Sequence, residues 1–288
     1  MTQEPRYLMA PGYGIRVALA EWQGQEPAVL CVHGLTANCR CWDGVAGSLS
    51  PRHRVLGIDL RGRGRSEAPD AGYCLEQHCR DIRRVLESRS LSPIALMGHS
   101  LGAAVALAFA ASCPEMVQGL ILVDGGGKLE EEQMETVLQG ISPSLERLGR
   151  IYSSTQEYLA EMKRSPHFQP WNEVCEAYFR YELQEVEGGV RCRIEPEHIR
   201  EEVESLRQVD ISEYYGRIYA PVLILRARRG LLGGDQGLLL PPNAVRRMLQ
   251  EMPRAECVEL EGTDHYSILF QPNPERDRAI LDFLHRLK

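Results

Sequence analysis

Ser100 lies between two apolar segments of different length, and it is the residue of this chain best placed to act as a nucleophile. The first segment, 93–97, has the length of a buried strand, and the second, 103–111, has that of a buried helix. The residues between them read Gly98-His99-Ser100-Leu101-Gly102. A serine between glycines at a sharp strand-to-helix turn exposes its hydroxyl at the edge of the sheet, and the N–H after it points to where an oxyanion would form. The pattern predicts nucleophilic catalysis by Ser100.

The elements that must position Ser100 alternate between strands and helices over most of the chain. Strands are predicted at 6–10, 15–22, 28–32, 55–59, 94–97, 119–124, 221–227 and 256–260. Helices are predicted at 42–49, 75–91, 101–113, 243–251 and 273–287. This alternation predicts an α/β fold, a mostly parallel eight-stranded sheet with helices on both faces. In such a sheet the reactive groups gather beyond the carboxyl ends of the strands.

A segment of different character, residues 125–219, follows the sixth strand and is predicted to be a helical cap over the active site. It has 19 Asp and Glu against 11 Lys and Arg, as is typical of solvated helix faces. It also holds ten aromatic residues: Tyr152, Tyr158, Phe168, Trp171, Tyr178, Phe179, Tyr181, Tyr214, Tyr215 and Tyr219. We expect some of these to line a pocket, the alternative being that they form the core of the cap itself. The predicted domains are a core of residues 1–124 and 220–288 and a cap of residues 125–219.

Composition argues against several classes of protein. The net charge of −7 disfavours nucleic acid as a partner. No stretch approaches the roughly 20 apolar residues of a membrane span, and the N-terminus lacks a signal-peptide pattern, so we expect a cytoplasmic protein that does not bind membranes. The nine cysteines contain no C-x-x-C pair, which favours free thiols. Metal-ligand spacing and dinucleotide-binding glycines are also missing, so we expect no cofactor and no metal.

Four motifs together resemble those of the α/β-hydrolase fold superfamily. Besides the segment around Ser100, they are Val32-His33-Gly34-Leu35, the run 59–66 (Asp-Leu-Arg-Gly-Arg-Gly-Arg-Ser) and Gly262-Thr263-Asp264-His265, each directly after a predicted strand. The resemblance spans nearly the whole chain outside the cap and is specific for fold but not for substrate. It implies that His265 is the general base, because the triad of this fold runs in the order Ser, acid, His.

The carboxylate that would orient His265 remains open between two residues. Most members of the superfamily carry it just past the seventh strand, where residues 227–230 of this chain read Ala-Arg-Arg-Gly. Asp124 ends the sixth strand, which is the position used by certain haloalkane dehalogenases, and Asp235 lies further out in a glycine-rich loop. A strand end is stiffer than a glycine loop, and this favours Asp124. Asp264 would point away from its neighbour His265.

The resemblance further implies an oxyanion hole formed by the backbone N–H groups of Leu35 and Leu101. We therefore predict a serine hydrolase that cleaves a small to medium carboxylic ester through an acyl-enzyme on Ser100. Hydrolysis of a carbon–carbon bond in a diketone uses the same triad, and a non-catalytic receptor can retain it, so both remain alternatives. Dehalogenation and epoxide opening need a carboxylate in place of Ser100.

Overall fold

The computed structural model describes residues 4–287, and in them the chain forms eleven strands. Eight belong to one large sheet and three, β7 to β9, belong to the segment after β6. The strands are β1 (Arg6–Pro11), β2 (Arg16–Trp22), β3 (Val29–Val32), β4 (Val55–Ile58), β5 (Ile94–His99), β6 (Val117–Val123), β7 (Ile151–Tyr152), β8 (Leu183–Val186), β9 (Gly189–Cys192), β10 (Val222–Ala227) and β11 (Ala255–Leu260).

The large sheet has the strand order β1-β2-β4-β3-β5-β6-β10-β11. Strands β1 and β2 form an antiparallel hairpin, and β2 is also antiparallel to β4. All the other neighbours are parallel. The predicted α/β fold with a mostly parallel eight-stranded sheet is therefore confirmed.

Eleven α-helices within residues 4–287 cover the sheet and build the segment after β6. They are α1 (Asp43–Leu49), α2 (Leu75–Arg89), α3 (Leu101–Ser112), α4 (Glu131–Gly140), α5 (Ser142–Glu146), α6 (Thr155–Met162), α7 (Glu173–Tyr181), α8 (Pro196–Arg207), α9 (Pro242–Glu251), α10 (Ser267–Phe270) and α11 (Pro274–His285).

The core has two apolar layers because successive residues of a strand point to opposite faces of the sheet. In β3, Leu30 and Val32 pack into the layer that contains α2 and α3. Val29 and Cys31 pack into the other layer, together with residues of α1 and α11. Central strands buried on both faces carry the short apolar runs from which the fold was predicted.

Residues 125–219, called the insertion below, are not purely helical as the sequence suggested. Strands β7, β9 and β8 form a small antiparallel sheet in addition to helices α4 to α8. The hairpin of β8 and β9 turns at Glu187-Gly188, with Gly188 at a φ of 87°. An X-Gly pair between two short strands is typical of a hairpin. The Glu and Gln residues of β8 are more typical of a helix surface, and for this reason the sequence suggested a helix here.

Two further expectations concern membrane-spanning helices and the state of the cysteines. None of the helices in residues 4–287 is both long and apolar enough to cross a membrane. All nine cysteines are free, as the sequence predicted.

Candidate active site

Ser100 occupies the turn between β5 and α3 in a backbone conformation that few non-glycine residues adopt. Its φ is 56° and its ψ is −122°, a combination that is strained for a residue with a side chain. Gly98 and Gly102 allow the strand and the helix to approach each other at this turn. A Cβ on Gly98 would overlap the backbone of Gly102, and one on Gly102 would overlap the backbone of Val32. The close packing maintains the strain and leaves Ser100 in the wall of a cavity.

His265 and Asp124 meet at the carboxyl edge of the sheet, beyond β11 and β6. Nδ1 of His265 donates a hydrogen bond to Oδ2 of Asp124 at 2.8 Å. Oδ1 of Asp124 accepts a second hydrogen bond, at 3.1 Å, from the N–H of Ala227 at the end of β10. The two side chains are 5% and 3% exposed. Since Nδ1 is engaged, Nε2 is the ring nitrogen of His265 that can take up a proton.

Two other carboxylates considered from the sequence are placed differently. Asp235 is exposed in the loop between β10 and α9, while Nδ1 of His265 is already occupied. Oδ1 of Asp264 accepts hydrogen bonds from the N–H groups of Tyr266 and Ser267, at 3.1 and 2.9 Å. Asp264 therefore shapes the turn that presents His265 and does not orient the ring.

His99 contacts His265, a role that the sequence analysis did not assign. Its Nε2–H donates to the backbone carbonyl of His265 at 2.9 Å, and the two rings stack with their centroids 4.4 Å apart. Burial, and after it the neighbouring His265, hold the pKa of His99 well below its usual value, so the ring stays neutral. The two residues are 166 positions apart, so no local pattern reveals the contact.

The segment after β3 is fixed by His33, whose ring is fully buried. The N–H of Leu60 donates to Nε2 of His33 at 3.0 Å, so the ring proton lies on Nδ1, which donates to the carbonyl of Gly34 at 2.8 Å. Burial lowers the pKa of His33 to about 3 and keeps it neutral. The carbonyl of Gly34 and the N–H of Leu35 share one planar peptide and point in opposite directions, so His33 orients this N–H. A Cβ on Gly34 would lie 3.6 Å from Oγ of Ser100.

Two buried arginines connect this same segment to the insertion. Nε of Arg63 donates to the carbonyl of Leu35 at 3.2 Å, and its Nη2 binds Glu202 of α8 at 2.8 Å. From the insertion, Nη2 of Arg147 donates to the carbonyl of Thr36 at 2.8 Å. Buried charges are stable only while each keeps its partners. The insertion and the segment after β3 therefore depend on each other for their positions.

A cavity of about 590 Å³ opens beside Ser100. Leu35 and Leu101, whose N–H groups are the predicted oxyanion donors, line it together with Ser100. Residues of α4 and α8 from the insertion and of α2 and α3 from the core also line it, together with the segments 125–129 and 208–211. The volume falls within the roughly 300–1,000 Å³ of small-molecule sites. Leu101 is the first residue of α3, so the partial positive charge of that helix end faces the same space.

The aromatic residues of the insertion do not line this cavity, contrary to the expectation that some of them would. Among the described residues, its lining includes no Phe, Tyr or Trp, because α4 and α8, which face it, contain none. Phe168, Tyr178 and Phe179 instead pack edge to face in the group that includes Phe270 of α10. These rings do not form a core of the insertion alone, because they join the apolar core on that side of the sheet, and Phe168 and Phe179 also line a second cavity of about 240 Å³.

Comparison with known proteins agrees with this architecture. The 2-(acetamidomethylene)succinate hydrolase of Mesorhizobium japonicum is 27% identical over 263 residues, covering 91% of this chain and 89% of that protein. A serine hydrolase-like protein of Danio rerio is 27% identical over 274 residues, covering 89% of this chain and 81% of its own. The crystal structure of an E-2-(acetamidomethylene)succinate hydrolase has a TM-score of 0.85 at 23% identity, covering 98% of this chain and 99% of its own.

The family assignment rests on a separate match to a family model. The model of the alpha/beta hydrolase family matches residues 29–277, which include the large sheet from β3 to β11, the insertion, Ser100, Asp124 and His265. The chain therefore belongs to the alpha/beta hydrolase family and is a hydrolase.

Proposed function

We propose that the protein is a serine hydrolase that cleaves a small to medium carboxylic ester, with Ser100 as nucleophile, His265 as general base and Asp124 as the residue that orients His265. The observation that carries this proposal is the hydrogen bond of 2.8 Å between His265 and Asp124. This hydrogen bond forms at the same edge of the sheet as Ser100. The backbone of Ser100 is strained, and the residue lines a mostly apolar cavity. A serine hydroxyl is a weak nucleophile unless an oriented base removes its proton.

In the reaction, Oγ of Ser100 attacks the acyl carbonyl while Nε2 of His265 takes its proton. The N–H groups of Leu35 and Leu101 stabilise the oxyanion of the tetrahedral intermediate. The imidazolium of His265 then protonates the leaving alcohol, which leaves an acyl group on Ser100. Water attacks this acyl-enzyme and gives its proton to His265, which passes it to Oγ of Ser100 as the acid is released.

The proposal includes a movement of the Ser100 hydroxyl. Among residues 4–287, the hydrogen bonds of His265 join its Nδ1 to Asp124 and its carbonyl to His99, and neither involves Ser100. The hydroxyl turns towards Nε2 when a substrate carbonyl occupies the cavity. Hydrogen bonds of catalytic groups commonly tighten only in the complex with substrate.

Burst kinetics with p-nitrophenyl butyrate test the proposal. We expect a burst of p-nitrophenol equal to the enzyme concentration, because acylation releases the phenol before water attacks. The variant Ser100→Ala should show neither burst nor turnover above background. The matched control is Ser112→Ala, which removes an exposed hydroxyl of α3 that donates to the carbonyl of Ala108, and it should behave as the unchanged protein.

Labelling with a fluorophosphonate separates an enzyme from a receptor. Fast modification of Ser100 together with ester turnover supports the proposal. Labelling without turnover of any ester in a p-nitrophenyl series would favour a receptor that retains the triad. Turnover that persists in Ser100→Ala would show that the serine is a bystander.

A further inference from the structure

The walls of the cavity beside Ser100 are mostly aliphatic, and the polar residues among the described lining are Ser100, Lys128, Glu131, Arg207, Gln208 and Asp210. On the core side the aliphatic walls are formed by Leu75 and Ala104, on α4 by Val137 and on α8 by Val203, among others of the same kind. No aromatic ring is present among the described residues of the lining. Aliphatic side chains bind hydrocarbon chains by burial of apolar surface, and they offer no hydrogen bond to a polar group placed against them.

The cations at the rim are already paired across the cavity. Nζ of Lys128 lies 2.7 Å from Asp210, and Nη2 of Arg207 on α8 lies 2.6 Å from Glu135 on α4. Glu131, which also lines the cavity, adds a further negative charge. Within the described lining, a substrate carboxylate would therefore meet no cation without a partner, and it would have to share Lys128 with Asp210 or Arg207 with Glu135.

We propose that the hydrolase selects neutral esters with an aliphatic chain of about six to eight carbons and rejects esters whose chain ends in a carboxylate. The inference rests on the ester hydrolysis proposed above and specifies its substrate class. Each methylene buried against these walls should raise kcat/KM about fourfold. A carboxylate held in the same place loses its hydration without gaining a counter-ion of its own. This should lower kcat/KM on the order of 100-fold.

The test compares matched p-nitrophenyl esters. From acetate through butyrate to hexanoate, kcat/KM should rise by about fourfold per added methylene. The p-nitrophenyl monoester of adipic acid has the six carbons of the hexanoate with a carboxylate at the far end, and it should be on the order of 100-fold slower. Octyl acetate, compared with ethyl acetate, shows whether the chain can bind from the alcohol side instead.

A charge placed on one wall should weaken this preference. Val203 lies on α8, and the residues three and four positions away on either side, Ile199, Arg200, Leu206 and Arg207, include no acid that could neutralise a new cation. Val203→Arg should therefore lower the ratio of hexanoate to adipate monoester by at least about tenfold. Val203→Met is the matched control of similar length without charge, and its ratio should stay near that of the unchanged protein.

The outcomes separate this inference from the proposed function. If Ser100 is not labelled by a fluorophosphonate and no ester is cleaved, the proposed function fails. If Ser100 is labelled and esters are cleaved, but acetate or the adipate monoester is preferred over hexanoate, the substrate class alone is wrong. The ester series on the unchanged protein decides the matter even where Val203→Arg does not fold.

Discussion

Two buried histidine–carboxylate pairs of the described residues differ in what surrounds them. His265 and Asp124 meet at 2.8 Å at the carboxyl edge of the sheet, and His78 of α2 meets Glu202 of α8 at 2.9 Å. Glu202 also binds Arg63 at 2.8 Å, and none of these three side chains is exposed. The second pair therefore belongs to an ion cluster, which we call the Glu202 cluster and define as Arg63, His78 and Glu202.

The surroundings of the two pairs differ in ways that bear on the catalysis proposed for the first one. His265 stacks on His99, the residue before Ser100, which lies in the cavity wall. In His78 the other ring nitrogen, Nδ1, is buried and has no hydrogen-bond partner within residues 4–287. Burial raises the pKa of Glu202, but the charges of His78 and Arg63 outweigh this and hold it at about 2. A carboxylate shared with an arginine stabilises the fold, while one that serves a single histidine beside a nucleophile can support catalysis.

Replacing the histidine of each pair should give the largest difference between the effects of the two pairs on kcat. His265→Ala should lower kcat by on the order of 10⁶-fold, because no other group can take the proton of Ser100. His78→Ala should destabilise the protein and leave kcat of the folded fraction within about tenfold. Turnover of p-nitrophenyl butyrate and urea unfolding on the same preparations measure both effects. Comparable loss of kcat in the two variants would remove the distinction between the pairs.

Neutralising the shared carboxylate tests the structural part of the comparison. Glu202→Gln leaves Arg63 buried without a counter-charge and should lower the free energy of unfolding by about 3 kcal/mol. Glu197→Gln is the control on the same helix, because its ion pair with Arg200 is exposed, and it should change stability by less than about 0.5 kcal/mol. Equal midpoints in urea for these two variants would show that the cluster does not hold α8 on the core.

The contact between His99 and His265 allows a smaller and more specific test. His99→Phe keeps a ring against His265 but removes the donor to its carbonyl, so kcat should fall about tenfold with KM little changed. His99→Gln retains a donor and should recover part of the loss. If KM rises while kcat stays constant, His99 shapes the cavity and does not position His265.

Acid should weaken the fold through the buried neutral histidines. Burial lowers the pKa of His33 to about 3 and that of His99 well below its ordinary value. Below pH 6.5 the unfolded chain binds a proton at each of these rings, and the folded protein does not. The contribution of the two neutral rings to the free energy of unfolding is therefore complete above pH 6.5 and declines as the pH falls towards the pKa of the folded state. Each histidine contributes a slope of up to about 1.4 kcal/mol per pH unit.

The contribution of His99 can be measured from the free energy of unfolding between pH 6.5 and 4.5. His99→Phe should show a shallower decline of unfolding free energy than the unchanged protein, since its ring cannot bind a proton. His285→Gln, at an exposed position of α11, should keep the original slope. Identical slopes in all three proteins would contradict a neutral buried His99.

Much of the fold could be predicted because buried parallel strands carry short apolar runs and their ends carry the polar residues. Ser100, Asp124 and His265 each follow such a run, so the geometry of the sheet alone places them at one edge. The choice between Asp124 and Asp235 rested on the stiffness of a strand end, and the hydrogen bond of His265 to Asp124 agrees with that reasoning.

The remaining features depend on contacts that local patterns do not encode. Glu202 is 139 residues from Arg63 and 124 from His78, and in the sequence it resembles any other acid of a solvated helix. The aromatic residues of the insertion were expected in a pocket because pockets often have aromatic walls. Only the packing of α6 and α7 on the core shows that these rings are buried elsewhere.

The central claim is that Asp124, acting through His265, activates Ser100. The second-order rate constant for labelling of Ser100 by a fluorophosphonate measures this activation, because the step needs a deprotonated serine and no natural substrate. We predict that Asp124→Asn lowers this rate constant by on the order of 10⁴-fold, while Asp235→Asn and the folded fraction of Glu202→Gln stay within about tenfold of the unchanged protein. A near-normal rate in Asp124→Asn, with the large loss in Asp235→Asn or Glu202→Gln, would contradict the account.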